Sequence, residues 1–174
     1  MNNNLDSLIA KQDISELVYR YMRGLDRWDR DLLISLFHDD AWCEYGFFNG
    51  GAVQFIDYAL EALSTHAANQ HFVGNILIDL QGDEAFGEVY FNAYHKMSAE
   101  EGHDDMIIAG RYLDRYQRRD GVWKFAYRSE RVDWSHSAPS ADPYFQLVPE
   151  GLVGSRRDDA VYDLAARQQR YRGD

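Results

Sequence analysis

Four long strand-like runs fill the second half of the chain and constrain its fold more than any other sequence feature. Each is at least ten residues long, and short polar segments such as Gln81–Glu84 and Arg119–Gly121 separate them. Consecutive strands joined by tight turns pair antiparallel. A flat sheet of such strands in a chain of 174 residues would expose too much apolar area, so the sequence predicts a strongly curved antiparallel sheet. The runs are His71–Leu80, Ala85–Met97, Asp105–Arg118 and Val122–Trp134.

Helical segments precede these runs. Apolar residues spaced i, i+3 and i+4 predict helices at about Leu5–Gly24, Asp29–His38 and Val53–His66. A strand at Ala41–Phe48, followed by a turn at Asn49–Gly51, lies between the second and third helix. Helices grouped ahead of an antiparallel meander are typical of the α+β class. We therefore expect the helices to cover the concave face of the sheet.

A C-terminal tail follows the last strand-like run. All three prolines of the chain lie within Ser137–Pro149, which predicts an extended path, and Asp158–Arg170 could form a last helix. We therefore divide the chain into one domain, residues 1–134, and a C-terminal extension, residues 135–174. The extension either closes over a substrate as a lid or packs on a neighbouring subunit.

The composition narrows the possible partners. A net charge of −11 repels phosphate backbones and argues against a nucleic-acid partner. No apolar run approaches the ~20 residues that span a bilayer, and the N-terminus has neither the basic nor the apolar region of a secretory leader. The single cysteine, Cys43, fits a reducing compartment. We expect a cytoplasmic protein that binds neither membranes nor nucleic acid.

The sequence contains no recognisable metal or cofactor motif. It has no HxH or HxxxH pair, no cysteine cluster and no glycine-rich phosphate loop. We therefore expect a protein without metal or cofactor.

Asp26 is the first candidate for chemistry. It extends the row Val18, Met22 of the first helix, which should be buried. A carboxylate in such a row is costly unless a polar group meets it. Tyr21 lies near enough in angle to point into the same space. The pattern predicts a polar pocket inside an otherwise apolar fold.

His71 is the second candidate. Strand alternation places His71, Val73, Asn75 and Leu77 on one face, which indicates a mixed pocket rather than solvent. If the sheet curls around the first helix, His71 reaches Asp26, and a carboxylate that holds an imidazole in one tautomer makes it a general base near neutral pH. The alternative is a hydrogen-bonded structural histidine.

Further residues could complete the site. Arg128 and Glu130 share one face of the last strand, opposite the aromatic face that contains Trp123. The guanidinium of Arg128 could bind an anionic leaving group. The alternative is an ordinary surface ladder of arginine and glutamate. Substrate contacts are predicted for Trp42, Tyr45, Asn75, His95 and Trp134. Core packing is the alternative for Trp42 and Tyr45.

These residues resemble a known family. The segments YMRGLDRWDRDLLISLFHDDAW, QHFVGN and GRYLDRYQRRDGVWKFAYR resemble the nuclear-transport-factor-2-like superfamily over about residues 5–134. The branch holds scytalone dehydratase, hexachlorocyclohexane dehydrochlorinase, bile-acid dehydratases and polyketide-cyclase-like proteins. The resemblance implies a cone-shaped, curved mixed or antiparallel sheet wrapped around three N-terminal helices.

The resemblance also implies roles for the candidate residues. In the lyases of the branch, an aspartate on the first helix orients a histidine that abstracts a proton, which matches Asp26 and His71. Tyr21 matches the tyrosine before the aspartate, and Arg128 matches the arginine of the last strand, with Arg131 as its rival. The second histidine of the dehydratases falls near His95.

The leading hypothesis is a cofactor-independent lyase that acts on an apolar aromatic or polycyclic small molecule. An isomerase or cyclase would use the same base. A non-catalytic ligand-binding or dimerisation module, and the small subunit of a ring-hydroxylating dioxygenase, share the fold without the chemistry. We expect a homodimer or homotrimer, because curved sheets of this kind leave a convex face exposed.

Overall fold

The computed structural model describes residues 3–98, 103–141, 144, 147–148, 154, 156–159 and 161–163. Within these ranges the chain forms helices and strands in an α+β arrangement, as predicted. In chain order the elements are α1 (Asn3–Asp26), α2 (Arg30–Ser35), β1 (Phe37–Tyr45), β2 (Phe48–Gly51), α3 (Ala52–Ser64), β3 (Ala68–Gln81), β4 (Glu84–Ser98), β5 (His103–Arg119) and β6 (Val122–Pro139).

The strands form one open, curved sheet in the order β2-β1-β6-β5-β4-β3. The neighbouring pairs from β6 to β3 are antiparallel, as is the β1–β2 hairpin. β1 pairs parallel with β6, so the sheet is mixed. The predicted curved meander is therefore confirmed, and the parallel pairing joins the first half of the chain to its last strand.

The helices lie against the concave face of the sheet. The apolar row of α1 is buried, with Ile14 and Val18 fully inaccessible. Tyr21 continues this row and packs edge-on against Phe37 of β1 and Phe125 of β6, with ring centroids 5.9 Å apart in both pairs. An aromatic layer thus joins α1 to the centre of the sheet.

α1 continues to Asp26, beyond the end predicted at Gly24. Gly24 is buried, and a Cβ atom at this position would lie 2.7 Å from the side chain of the fully buried Leu33. The glycine therefore serves the close approach of α2 to α1 instead of ending the helix. Two further residues of helix bring the Asp26 side chain to β3.

Bulges decide which side chains face the interior. The β3–β4 register shifts between Val73 and Ile76, which moves Asn75 to the exposed side. A shift between Arg115 and Tyr116 leaves Ala126 unpaired on β6. A bulge adds one residue to one strand and reverses the alternation beyond it. The strict alternation expected over β3 and β6 is therefore wrong beyond these points.

The described part of the tail lies against the end of α1. β6 continues past Trp134 to Pro139. Arg27 and Asp159 form an ion pair at 3.5 Å, and Arg157 donates to Asp29 at 2.8 Å. Most of the predicted helix Asp158–Arg170 lies outside the described residues, and its described members are in turns or irregular structure. Among the described residues, no helix combines the length and hydropathy that crossing a membrane requires.

Candidate active site

Asp26 and His71 are in direct contact. Nδ1 of His71 donates to Oδ1 of Asp26 at 2.8 Å, and the His71 backbone N–H donates to the same carboxylate at 3.0 Å. The Asn69 side-chain amide donates to Oδ1 at 2.9 Å. The Asp26 side chain is only 13% exposed, and the His71 side chain only 7%. A carboxylate can only accept here, so Nδ1 carries the proton and Nε2 holds a lone pair.

His71 lines an interior cavity of about 270 Å³ between the helices and the concave face of the sheet. The wall is mainly hydrocarbon and aromatic, and its polar groups come from histidines, tyrosines and one glutamate. Such a pocket suits a small, largely apolar molecule held by a few polar contacts. The lining residues are Tyr21, Leu25, Tyr45, Phe47, Phe55, Tyr58, Ala59, Ala62, Leu63, His66, His71, Phe91, Ala93, His95, Met106, Ile108, Tyr112 and Glu130.

Two more histidines stand beside His71. The His95 ring meets the His71 ring edge-on at 5.3 Å, and its Nδ1 lies 3.2 Å from Nδ1 of His66. Burial, and then the neighbouring His71 and His66, lower the pKa of His95 to about 3. Burial, and then Arg156, lower the pKa of His66 as well. Both rings are therefore neutral at neutral pH, and one donates a hydrogen bond to the other.

A pair of tyrosines forms another polar part of the wall. The Tyr21 and Tyr45 hydroxyls are 3.0 Å apart, and both rings are buried. Burial raises the pKa of each hydroxyl above its ordinary value, although Arg128 opposes the shift. Both hydroxyls therefore keep their protons over the physiological range. They are hydrogen-bond donors and very weak acids.

Arg128 is completely buried and lies outside the cavity wall. Its Nε and Nη2 atoms donate to the two oxygens of Asp114, each at 2.8 Å. Its guanidinium carbon lies 4.2 Å from the ring centroids of Tyr21 and Tyr112. The structure places Arg128 behind Tyr21, where its charge acts on the cavity through the aromatic ring.

Other predicted site residues are not brought together with Asp26 and His71. Trp42 is half exposed and donates to Asn49, because this position of β1 faces outward. Asn75 is exposed because of the bulge in β3. Trp134 lies past a register shift between Ala109 and Gly110 and is half exposed. None of the three lines the cavity.

The rival of Arg128 is also on the outside. Arg131 is exposed, and its guanidinium lies 3.8 Å from Glu44 and contacts Ser129. The predicted contacts Tyr21, Tyr45 and His95 do line the cavity.

The cavity residues that sequence reasoning missed include Glu130 and His66. Burial raises the pKa of Glu130 to about 7, against the opposing charge of Arg128. The sequence shows that Glu130 and Arg128 share a face of the last strand, but the same alternation is typical of a solvent-exposed row of arginine and glutamate. His66 lies just past the end of α3, and no sequence signal separates it from a solvated loop histidine.

The described ranges contain no group of three His, Cys, Asp or Glu side chains arranged to hold a metal ion. This includes the histidines of the cavity. Asp26 is satisfied by N–H donors, and His66 and His95 are paired with each other. The arrangement favours proton transfer between side chains and a bound molecule.

Comparisons with known proteins identify relatives of this chain. The chain is 27% identical over 135 residues to gamma-hexachlorocyclohexane dehydrochlorinase of Sphingobium indicum, an alignment that covers 73% of this chain and 83% of the relative. Among solved structures, a putative scytalone dehydratase of Novosphingobium aromaticivorans superposes with a TM-score of 0.69 at 24% identity, covering 81% of this chain and 94% of the other.

A hexachlorocyclohexane dehydrochlorinase of Novosphingobium barchaimii also superposes with a TM-score of 0.69 at 24% identity, covering 79% of this chain and 96% of the other. Both superpositions show the cone fold of the nuclear-transport-factor-2-like superfamily, as the resemblance implied. The SnoaL-like domain family matches residues 6–129. The chain therefore belongs to the SnoaL-like domain family.

Proposed function

We propose that this protein is a cofactor-independent lyase that eliminates a small group from an apolar cyclic molecule. The 2.8 Å contact between Asp26 and Nδ1 of His71, at the wall of an apolar cavity, carries the proposal. The relationship to a dehydrochlorinase supports lyase-like activity on a small molecule. An Asp–His pair beside a mainly hydrocarbon cavity fits proton abstraction from carbon.

His71 is the proposed base. Its Nδ1 proton is engaged by Asp26, so Nε2 is the ring nitrogen left to take a proton from a substrate carbon. Asp26 holds the ring in this tautomer and stabilises the imidazolium that forms. Asn69 and the His71 backbone N–H fix the carboxylate, so the geometry is set before substrate enters.

The neutral neighbours of His71 help this step. A charged His95 would oppose the formation of an imidazolium at His71, but its low pKa keeps it neutral. A buried, mainly apolar wall also keeps bulk water from competing for the proton. The site can therefore accommodate the one positive charge that forms on His71, because Asp26 lies beside that ring.

Tyr21 is the proposed hydrogen-bond donor for the negative charge that develops on the substrate. Its hydroxyl lies at the cavity wall next to that of Tyr45, and Arg128 stands behind its ring at 4.2 Å. Arg128 is then a positioning residue, which orders and polarises Tyr21 without touching substrate. The sequence predicted that Arg128 meets an anionic leaving group directly. In this proposal its charge acts through the Tyr21 ring instead.

A proton-exchange experiment tests the base without knowledge of the natural substrate. Indanone, a flat cyclic ketone with an acidic α-hydrogen and no leaving group, is incubated with the protein in heavy water and followed by NMR. We expect catalysed exchange, and a loss of about 100- to 10,000-fold in His71→Ala, the range that general-base catalysis contributes. His136→Ala, the same change at an exposed histidine of β6, is the matched control.

The same variants are assayed for chloride release from β-chlorocyclohexanone, which tests elimination itself. Full activity of His71→Ala would remove this residue from the mechanism. A wild-type protein that binds indanone but exchanges no hydrogen would identify a binding module instead.

A further inference from the structure

Glu130 is a carboxyl group in the cavity that the proposed function does not yet use. It lines the same cavity as His71, and its side chain is mostly screened from solvent. Among the described residues, no side chain or backbone group makes a hydrogen bond or ion pair with its carboxyl oxygens. A carboxyl group held in an apolar wall without a partner is unusual in a structural role.

Glu130 and the proposed base lie on strands that are not neighbours in the sheet. Glu130 of β6 pairs with Tyr112 of β5, whereas His71 of β3 pairs with Ala93 of β4. β5 and β4 lie between the two strands, and the sheet curves around the cavity. Both side chains nevertheless line the same cavity, so each can reach a molecule that is bound there.

The charged and titratable groups around Glu130 favour its protonated form. Arg128, the cation that lowers the pKa of Glu130, uses Nε and Nη2 on Asp114. The other titratable groups of the cavity are Tyr58 of α3, the histidines 66, 71 and 95, and three buried tyrosines, Tyr21 of α1, Tyr45 of β1 and Tyr112 of β5. Burial keeps the three tyrosines protonated, and it raises the pKa of Glu130 to about 7. Near neutral pH, Glu130 is the acid in this wall with a proton it can transfer.

We propose that Glu130 is the general acid that protonates the departing group, and that the substrate therefore belongs to the cyclic β-hydroxy carbonyl class, which loses water. The inference rests on the proposed elimination and adds its leaving group. Hydroxide is a poor leaving group and needs a proton as the C–O bond breaks, whereas chloride departs without one. A donor acid in the same cavity as the base therefore serves dehydration.

Loss of water from a β-hydroxy ketone involves two proton transfers, one to His71 and one from Glu130. Nε2 of His71 takes the proton from the α-carbon, and the C–H electron pair forms the new C=C bond. The C–O bond breaks, and its oxygen takes the proton of Glu130 and leaves as water. His71 is then imidazolium and Glu130 carboxylate, and transfer of one proton between them through released water restores both.

The test compares two leaving groups on one ring. β-Hydroxycyclohexanone and β-chlorocyclohexanone give the same enone, which is read by its ultraviolet absorbance. We expect Glu130→Gln to slow loss of water by about 100-fold or more, the scale of general-acid catalysis. Loss of chloride and hydrogen exchange of indanone should fall by a much smaller factor than loss of water, because neither needs the acid. Glu16→Gln, at an exposed glutamate of α1, is the matched control.

The pH profile supplies a second readout. The wild-type rate of water loss should fall as pH rises through about 7, where Glu130 loses its proton, and the rate of chloride loss should not show this limb. Glu130→Asp keeps the acid and should restore part of the water loss that Glu130→Gln removes. A circular dichroism melt of each variant checks the fold.

Equal losses for water and chloride in Glu130→Gln would show that Glu130 only shapes the cavity, and no loss for either would show that it is not the acid. A wild type that releases chloride but not water would also overturn the proposal, while leaving His71 as the base. Absence of indanone exchange in the wild type would instead overturn the proposed function.

Discussion

Among the described residues, two acid–base pairs lie largely inside the protein and differ in their surroundings. Asp114 and Arg128 are completely inaccessible and bind each other through two 2.8 Å hydrogen bonds. Asp26 and His71 are also joined at 2.8 Å, but His71 borders the cavity and Asp26 borders an open groove on its other side. Asp114 and Arg128 are enclosed by protein, whereas Asp26 and His71 lie between the cavity and the groove.

This difference separates a structural pair, Asp114 and Arg128, from the pair that we propose to be reactive, Asp26 and His71. Arg128 has three aromatic rings within 4.3 Å of its guanidinium carbon and no access to a ligand. His71 keeps one ring nitrogen for a bound molecule. A charged pair can do chemistry only where one partner retains an unused atom and a space beside it, so location decides the role more than residue type does.

The largest expected effect tests the enclosed pair. Arg128→Met should lower the free energy of unfolding by about 3–5 kcal/mol, because it leaves the Asp114 carboxylate buried without its cation. His71→Asn should cost less than about 1.5 kcal/mol, because Asp26 keeps N–H donors and borders open space. Urea unfolding followed by circular dichroism measures both.

A double variant serves as the control for this comparison. Arg128→Met combined with Asp114→Leu removes both charges and should recover much of the lost stability. If His71→Asn destabilised the protein as much as Arg128→Met, the distinction between the two pairs would be wrong.

The next effect concerns acid stability on the side of the reactive pair. The pKa of His95 is about 3 in the folded protein against 6.5 in an unfolded chain. The unfolded state therefore takes up the proton first, so this contribution to stability is complete above about 6.5 and is lost as pH falls toward about 3. His95→Gln should reduce the fall in unfolding free energy over this range by on the order of 2–4 kcal/mol.

Unfolding curves at a series of pH values measure this contribution. His136→Gln, at an exposed histidine of β6, should leave the acid limb unchanged. An unaltered limb in His95→Gln would place the acid sensitivity elsewhere.

The smallest effect concerns the support of the reactive pair by the tail. Arg156 donates to the Asn69 side chain and, at 3.1 Å, to the His66 carbonyl oxygen, and its guanidinium stacks on Trp28 at 4.0 Å. Asn69 in turn donates to Asp26. Arg156→Met should slow indanone exchange by about 3- to 10-fold, the scale of one hydrogen bond of about 1 kcal/mol.

Arg157→Met is the matched control, because Arg157 binds Asp29 and does not touch Asn69. Equal losses in the two variants would mean that docking of the segment as a whole matters, and not the contact with Asn69.

The sequence predicted the reactive pair better than the walls around it. Asp26 and His71 follow from helical and strand periodicity near the points where α1 ends and β3 begins. Asn75 and Trp134 lie past register shifts, and a bulge reverses inside and outside without any reliable sequence signal. Glu130 was ambiguous because an arginine–glutamate alternation describes a solvated face equally well. Only the curvature of the sheet shows that this face encloses a cavity.

The parallel pairing of β1 with β6 has a consequence for how the chain is made. Phe37 pairs with Phe125 and Trp42 with Tyr127. This edge of β1 therefore stays unpaired until β6, far along the chain, has been made. During synthesis the first helices and the β1–β2 hairpin emerge early, with one edge of β1 unpaired. Pairings of such large sequence separation slow folding. The nascent protein is therefore most prone to aggregate before β6 leaves the ribosome, and chaperone binding at that stage should raise its yield.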